Sequence, residues 1–344
     1  MKKEIGKERE KMGREGHDEE IPFTLPEGFL GIPQAPLDSA RYCVLPVPYD
    51  ATVTYKSGAR FAPRAIIDAS MQVELFDEEL KRPLDALRVH TLGALEPNAA
   101  SPEKMVARVR DAVRAIMRGE NRFPLVLGGE HSISVGAVRA CLERFPSLTV
   151  LYFDAHADLR DEFEGTPYSH ACAARRMLED GARLVEVGVR SLDEEQYEFI
   201  KKTSESKLKV FWASELAEQD SASCSSGSLG VLGSFERKIN EIVAAVGATG
   251  NGSGDLWISF DLDAFDPSEM PSVGTPEPGG LRWRDALRVL RAVASSGARI
   301  VGADVVELCP IPGMHSCDFE AARLAAKIVA YNEFLKTKGA GKGD

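Results

Sequence analysis

Three short segments of the chain carry residue types that could bind a metal ion or transfer a proton. They are residues 128–132 (GGEHS), 154–158 (DAHAD) and 261–267 (DLDAFDP). In DAHAD the ligand-type residues stand at alternate positions, so their side chains point the same way on an extended segment. A single Asp-x-Asp is more often a turn, but several unpaired carboxylates at buried strand ends would be costly without a cation. The three segments together therefore predict a metal site.

The donor types also indicate which metal and how many ions. Two imidazoles and at least four carboxylates, without sulfur, suit Mn²⁺ or another hard-to-borderline divalent ion. Four carboxylates exceed what one ion needs, and carboxylates can bridge. We therefore expect two ions about 3.5–4 Å apart, a pair that activates a shared water as the nucleophile. From the residues alone, the chain is predicted to be a binuclear metallohydrolase.

Each of the three segments follows an apolar run of strand length. Such nearly continuous runs predict parallel strands that are buried on both faces. In an open parallel sheet, ligands bind outside the carboxyl ends of the strands, so three strands would deliver these segments to one edge. The predicted strands are residues 42–47, 124–127, 148–153, 184–189, 208–212, 256–260 and 300–306.

Helical patterns fill the intervals between the predicted strands. Ser101 is a capping residue before Pro102, and Val106, Val109 and Val113 then recur at helical spacing. Further helices are predicted from about residue 132 and at 235–246, 284–293 and 319–335. Alternating strands and helices predict an α/β fold with a mainly parallel sheet and helices on both sides. No break in composition divides residues 21–337, so we expect one domain there.

Composition and charge exclude several classes of function. The chain has 344 residues, and 53 acidic against 42 basic side chains give a net charge of −11. Nucleic acid or an anionic membrane would be repelled, whereas a small cationic substrate would be attracted. No apolar run approaches the ~20 residues of a membrane helix. We expect a cytoplasmic protein, because no signal-peptide core is present and the six cysteines form no disulfide framework.

Two kinds of segment are predicted to lie outside the packed structure. The charged residues 1–20 and the polar residues 338–344 read as frayed tails. Residues 221–230 and 247–254 are rich in Ser and Gly, which is typical of flexible surface loops.

The three metal-binding segments resemble the signatures of the ureohydrolases, the arginase and agmatinase family. The resemblance includes residues 274–277 (GTPE) and an early part within 48–64, and it extends from about residue 46 to 310. It implies a three-layer α/β/α fold of the arginase and deacetylase type. It also implies two Mn²⁺ ions, hydrolysis of a guanidino group to urea and an amine, and homo-oligomers that are trimers or hexamers.

The resemblance implies a role for each metal-binding residue. One ion would be held by His131, Asp154, Asp158 and Asp261. The other would be held by His156, Asp154, Asp261 and Asp263, so Asp154 and Asp261 would bridge the pair. Glu130 stands where many relatives have Asp, beside a ligand and not as one. Asp266 would support the site without binding metal.

Three further residues are candidates for catalysis or substrate contact. His170 occupies the position of the family's proton-shuttle histidine, and an imidazole of pKa ~6.5 can transfer a proton near neutral pH. Without the other motifs it would be an ordinary histidine at a helix start. Glu307 matches the glutamate that pairs with the substrate guanidinium, although a strand-end charge facing water is the alternative. Glu277 is either a substrate contact or a loop residue.

The segment after DAHAD indicates which guanidino compound is cleaved. Residues 159–165 (LRDEFEG) lack the Asn and Ser/Thr side chains with which arginases hold the arginine carboxylate. Asp161, Glu162 and Glu164 would suit a free amine and repel a carboxylate. Agmatine or aminopropylagmatine is therefore the expected substrate, with putrescine or spermidine as product. The alternatives are arginine, guanidinobutyrate anchored by Arg160, and amide hydrolysis by a metal-dependent deacetylase.

Overall fold

The structure is a computed structural model, and it describes residues 28–217, 233–247 and 254–335. The predicted tails and the Ser/Gly-rich segment at 221–230 lie outside these described residues, as does nearly all of 247–254. Within the described part of the chain, no helix is long and apolar enough to cross a membrane.

The centre of the fold is an eight-stranded parallel sheet with the strand order β4-β1-β5-β10-β9-β6-β7-β8. Its strands are β1 (Tyr42–Val47), β4 (Val89–Thr91), β5 (Phe123–Gly128), β6 (Thr149–Phe153), β7 (Arg183–Val189), β8 (Leu208–Trp212), β9 (Asp255–Asp261) and β10 (Arg299–Val306). The short strands β2 (Phe76–Asp77) and β3 (Arg82–Pro83) form a separate antiparallel pair. Seven of the eight sheet strands coincide with the predicted runs. The edge strand β4 was not predicted, because three residues are too few for a clear apolar pattern.

Helices cover both faces of the sheet, as the alternating pattern predicted. They are α1 (Ala62–Ser70), α2 (Pro102–Met117), α3 (Ser132–Leu142), α4 (Ala173–Glu179), α5 (Glu194–Lys202), α6 (Ala213–Ala217), α7 (Ser234–Ala245), α8 (Trp283–Ser295) and α9 (His315–Phe334). The Ser101 hydroxyl accepts a hydrogen bond from the Lys104 amide and so caps α2, as predicted.

Two apolar clusters fill the spaces between the sheet and the helices. Alternate residues of one strand enter different clusters, because successive side chains of a strand point to opposite faces. On β5, for example, Leu125 and Leu127 pack with α8 and α9, whereas Val126 packs with α2 and α3. The predicted three-layer α/β/α fold is therefore confirmed, and the carboxyl ends of its strands form one common edge.

Candidate active site

The three predicted segments converge at this edge of the sheet. They follow β5, β6 and β9, which lie close together in the strand order, and β10 between them delivers Glu307. The turn after β5 requires glycine, because a Cβ at Gly129 would lie 1.8 Å from the carbonyl oxygen of Tyr49. This close approach directs the chain into α3 with His131 at its start.

One group of possible metal ligands surrounds His131. Its Nδ1 lies 2.9 Å from Asp154 Oδ2, 3.2 Å from Asp261 Oδ2 and 3.6 Å from Asp158 Oδ2. All four residues are buried. The side chains of His131, Asp154 and Asp158 are close enough to hold one ion together.

A second group surrounds His156 and includes one residue of the first. His156 Nδ1 lies 2.9 Å from Asp263 Oδ2 and 3.5 Å from Asp154 Oδ1. Asp154, His156 and Asp263 form the second group with metal-binding geometry. Asp261 contacts a residue of each group. Its Oδ2 lies 3.2 Å from His131 Nδ1, and its Oδ1 accepts a hydrogen bond from the Asp263 amide. The structure thus brings all six predicted ligands together.

Three of the four carboxylates in this centre have pKa values above the ordinary one, because they are buried beside other carboxylates. Burial, followed by the charge of Asp154, raises the pKa of Asp158 to about 7. Burial and the charges of Asp263 and Asp154 hold the pKa of Asp261 well above its ordinary value. Burial alone would lower the pKa of His156, but the charge of Asp263 and hydrogen bonds to Asp154 and Asp263 raise it to about 12. Carboxylates crowded in this way repel one another unless a cation lies between them.

Hydrogen bonding also fits bound metal. Asp154 Oδ2 is buried and accepts no well-directed hydrogen bond from the described residues. The donor set contains only carboxylate oxygen and imidazole nitrogen, which suits a hard-to-borderline divalent ion. A pair of divalent ions fits these residues, because the two groups have Asp154 in common.

An outer layer of residues orients His131. Its Nε2 lies 2.8 Å from the Ser259 hydroxyl, which donates to Asp304 Oδ1 at 2.8 Å. The indole of Trp257 donates to the other Asp304 oxygen. A hydrogen bond at Nε2 leaves Nδ1 as the nitrogen that faces the carboxylates. Ser259 and Asp304 stand inside apolar strand runs, where no motif marks them in the sequence as site residues.

A cavity of about 270 Å³ opens onto the candidate metal centre. Its walls combine metal-ligand candidates with the two predicted catalytic residues and with polar residues of the loop after β7. The lining residues include His156, Asp158, Asp261, Asp263, His170, Glu307, Arg160, Phe163, Ser191, Asp193 and Gln196.

His170 and Glu307 face each other across this cavity. His170 Nδ1 lies 3.6 Å from Glu307 Oε1, and His170 Nε2 is buried without a hydrogen-bond partner among the described residues. Burial opposes the charged imidazole, but the hydrogen bond and charge of Glu307 raise the pKa of His170 to about 9. Glu307 Oε1 also accepts the His131 amide at 2.7 Å. Glu307 has a φ of 66°, a strained conformation for glutamate.

The predicted substrate contacts are only partly brought to the cavity. Asp161 and Glu162 are exposed and do not line it, and Asp161 Oδ1 instead lies 2.5 Å from Arg176 Nη2. The expectation that these two acids face the substrate is therefore not supported by their positions. Glu277 is half-buried at the rim, where its carboxylate accepts the hydroxyl of the cavity residue Ser191 at 3.0 Å.

Asp193 does line the cavity, where it is half-buried and not a metal-ligand candidate. Its Oδ2 lies 2.5 Å from Arg160 Nη1, while its Oδ1 caps α5 by accepting the Gln196 amide. The Arg160 guanidinium lies 4.7 Å from the centre of the Phe163 ring. Asp193 was missed in the sequence because it follows β7 in a segment without a metal-ligand motif. The rule that ligands bind at the carboxyl ends of strands could have identified it.

Comparison with known proteins gives consistent matches over most of the chain. A family model described as Arginase family matches residues 40–332. The N(1)-aminopropylagmatine ureohydrolase of Synechocystis sp. is 35% identical over 299 residues, which cover 85% of this chain and 89% of that protein. The agmatinase of Bacillus anthracis is 27% identical over 276 residues, covering 80% and 85% respectively. The crystal structure of the agmatine ureohydrolase of Thermoplasma volcanium aligns with a TM-score of 0.72 and 28% identity, covering 87% of this chain and 92% of that chain.

Proposed function

Because the chain belongs to the arginase family, we propose that it is a ureohydrolase acting on agmatine or N1-aminopropylagmatine. Water adds to the guanidino carbon and the bond to the chain nitrogen breaks, so the products are urea and putrescine or spermidine. Relatives named for these two substrates support the choice. The observation that carries the proposal is one cavity lined by four of the six metal-ligand candidates together with a histidine and a glutamate, namely His156, Asp158, Asp261 and Asp263 with His170 and Glu307.

We propose Mn²⁺ as the metal, with two ions per chain. His131 and Asp158 would bind one ion, and His156 and Asp263 would bind the other. Asp154 and Asp261 would bind both ions. Bound there, the ions would supply Lewis acidity and a water activated for attack on the guanidino carbon. The chain supplies the fixed carboxylates and the two oriented imidazoles. A trimeric or hexameric homo-oligomer and a cytoplasmic location stay predictions from the sequence.

Glu307 and His170 would divide substrate binding and proton transfer between them. Glu307 Oε1 is held by the His131 amide, so its carboxylate is a fixed partner for the planar guanidinium. Burial opposes a charge on His170, but the hydrogen bond and charge of Glu307 raise its pKa to about 9 and so favour the protonated imidazole. It can therefore give a proton to the amine nitrogen as the carbon–nitrogen bond breaks. Its buried Nε2, unpartnered among the described residues, suits that donation.

Arg160 and Asp193 line the cavity as an ion pair that the tail of the substrate could meet. Asp193 could accept a substrate ammonium group, and Arg160 could hold a substrate carboxylate. Arg160 is the only arginine among the described residues that line the cavity, and its guanidinium lies 2.5 Å from the Asp193 carboxylate. Either kind of tail would have to compete for one member of this pair, so the choice of a cationic tail rests on the relatives named for agmatine and N1-aminopropylagmatine.

A panel of guanidino compounds tests the proposal. Urea release is measured with Mn²⁺-loaded protein on agmatine, N1-aminopropylagmatine, arginine and 4-guanidinobutyrate, and acetate release on an acetylated polyamine tests the deacetylase alternative. We expect kcat/KM for agmatine or N1-aminopropylagmatine to exceed that for arginine by at least about 10²-fold, the scale for a buried charge left unpaired. A higher value for arginine or guanidinobutyrate would show that the substrate is wrong. Acetate release without urea would show that the reaction class is wrong.

A further inference from the structure

His170 is held at its backbone by a residue that is distant in sequence. His170 begins a short 3₁₀ turn (His170–Cys172) before α4, and the first amides of such a turn need partners outside it. Ser169, at the capping position, gives no side-chain hydrogen bond. The His170 amide instead donates to the Thr52 hydroxyl at 2.9 Å. A threonine 118 residues away thus caps the turn that carries the imidazole.

The direction of the Thr52 hydroxyl is set by Glu130. Thr52 Oγ1 donates to Glu130 Oε1 at 2.7 Å, and the Thr52 amide donates to Glu130 Oε2 at 2.6 Å. A hydroxyl has one proton, so a proton committed to Glu130 leaves the oxygen lone pairs for the His170 amide. Glu130 is fully buried and follows β5, so the chain of hydrogen bonds is anchored in the sheet.

We propose that Thr52 is a positioning residue for the proton transfer: its hydroxyl, oriented by Glu130, holds His170 opposite Glu307. The inference rests on the proposed function, in which His170 protonates the leaving amine. The imidazole is then located from two sides, by Thr52 at its backbone and by Glu307 at 3.6 Å from its Nδ1. Thr52 itself does not line the cavity, so it acts through His170 and not on the substrate.

The test compares Thr52→Val, which removes the hydroxyl at nearly constant shape, with Thr52→Ser, which retains it. With Mn²⁺ and agmatine, Thr52→Val should lower kcat roughly 10- to 100-fold, the scale of a ~1 Å misplacement, with KM changed less than about 3-fold. Thr52→Ser should stay within about 3-fold of the parent protein, because serine offers the same donor and acceptor. If Thr52→Val does not yield folded protein, Thr52→Ala carries the same comparison.

Thr91 provides a matched control. Its hydroxyl accepts the Phe29 amide at 2.9 Å, as the Thr52 hydroxyl accepts the His170 amide, but Thr91 lies on the edge strand β4. Thr91→Val therefore removes the same kind of hydrogen bond elsewhere and should leave kcat within about 3-fold of the parent, as expected away from the proton donor. Bound metal per chain should be unchanged in Thr52→Val, Thr52→Ser and Thr91→Val.

A double-mutant cycle with His170→Ala separates positioning from general destabilisation. Once the imidazole is absent, adding Thr52→Val should cost almost nothing further in kcat. An equal loss in both backgrounds, loss of bound metal, or Thr52→Val with full kcat would overturn the role of Thr52. Those results leave the proposed function standing if His170→Ala alone lowers kcat. Full turnover by His170→Ala would instead overturn the proton-donor role and, with it, this inference.

Discussion

Two clusters of acidic side chains, each with buried members, differ in their charge balance. The candidate metal centre sets four aspartates against two histidines. The second cluster, the Lys327 cluster, joins the region of β2 and β3 to α9. It sets three acids against three bases, namely Asp77, Glu78 and Glu79 against Lys327, Arg291 and Arg323. The Lys327 cluster therefore neutralises itself, whereas the candidate metal centre does not.

The pKa values of the two clusters respond accordingly. Burial alone would raise the pKa of Asp77, but hydrogen bonds from Lys327 and from the Leu80 amide outweigh it and lower that pKa. In the candidate metal centre, burial and neighbouring carboxylates raise the pKa of Asp261 well above its ordinary value. The Lys327 ammonium lies 2.8 Å from Asp77 Oδ2 and takes the place that a metal ion would take in the other cluster. Several buried aspartates crowded together without such a side chain, as in the candidate metal centre, therefore favour a bound cation.

The largest effect should follow from removing a carboxylate that serves both ions. Asp261→Asn should release metal and lower kcat on the order of 10³-fold or more, because the ions supply several kcal/mol of transition-state stabilisation. His131→Ala should release less metal, because His131 serves one ion only. Metal per chain is measured by elemental analysis after dialysis, and kcat by urea release.

The same variant has an opposite expected effect on stability once metal is chelated. Asp261→Asn removes one of four crowded carboxylates, so the chelated variant should unfold at the same denaturant concentration as the chelated parent or a higher one. Asp266→Asn is the matched control from the same segment, since the Asp266 carboxylate accepts hydrogen bonds from the Ser268, Gly279 and Gly280 amides and not from a metal-ligand candidate. The binuclear assignment is wrong if Asp266→Asn loses as much metal as Asp261→Asn.

Removing the cation of the Lys327 cluster should give the next largest effect. Lys327→Met leaves Asp77, Glu78 and Glu79 around an apolar side chain. Breaking a buried ion pair such as Lys327–Asp77 typically lowers the free energy of unfolding by about 3–5 kcal/mol. Denaturant unfolding of chelated protein measures the loss. Metal content and kcat at low temperature should not change.

Arg323 supplies the control for Lys327. It contacts Glu78, whose side chain is 64% exposed, so Arg323→Gln should cost only about 0–1 kcal/mol. Equal losses for the two variants would contradict the argument that burial makes Lys327 indispensable.

Much of this architecture could be predicted because it depends on local patterns. Seven apolar runs became strands, and the rule for parallel sheets brought His131, Asp154 and Asp261 to one edge. The family resemblance stated from the motifs is confirmed by the match over residues 40–332. The roles of the individual site residues stay predictions.

What could not be predicted depends on contacts between distant parts of the chain. Nothing local distinguishes Asp161, which turns outward to Arg176, from Asp193, which turns into the cavity. The Lys327 cluster likewise joins residues about 250 positions apart. Thr52 and Ser259 act through hydrogen bonds to other strands and loops, and a hydroxyl in a sequence gives no sign of its partner.

A buried acid outside both clusters provides a third case for this comparison, because in the described part of the chain it has neither a basic side chain nor a set of metal ligands around it. Glu186 on β7 is fully buried, and neither carboxylate oxygen has a hydrogen-bond partner among the described residues. Burial, and then the charges of Asp154 and Asp158, hold its pKa well above the ordinary value. The folded protein therefore keeps this proton at a pH where the unfolded chain has lost it. The stability that this proton provides is complete below about pH 4.3, the unfolded pKa of Glu, and is lost as pH rises toward the folded pKa.

Two replacements of Glu186 separate its charge from its polarity. Glu186→Gln cannot ionise, so its stability relative to the parent should improve steadily between pH 5 and pH 8. Glu186→Met also removes the unpaired polar group, and at pH 8 it should stabilise the chelated protein by about 1–3 kcal/mol, the cost of burying such a group. Urea unfolding of chelated parent and variants at both pH values measures these differences. If Glu186→Gln instead weakens the protein equally at pH 5 and pH 8, the carboxyl has a partner that its buried position on β7 does not reveal, and the contrast with the Lys327 cluster fails at this residue.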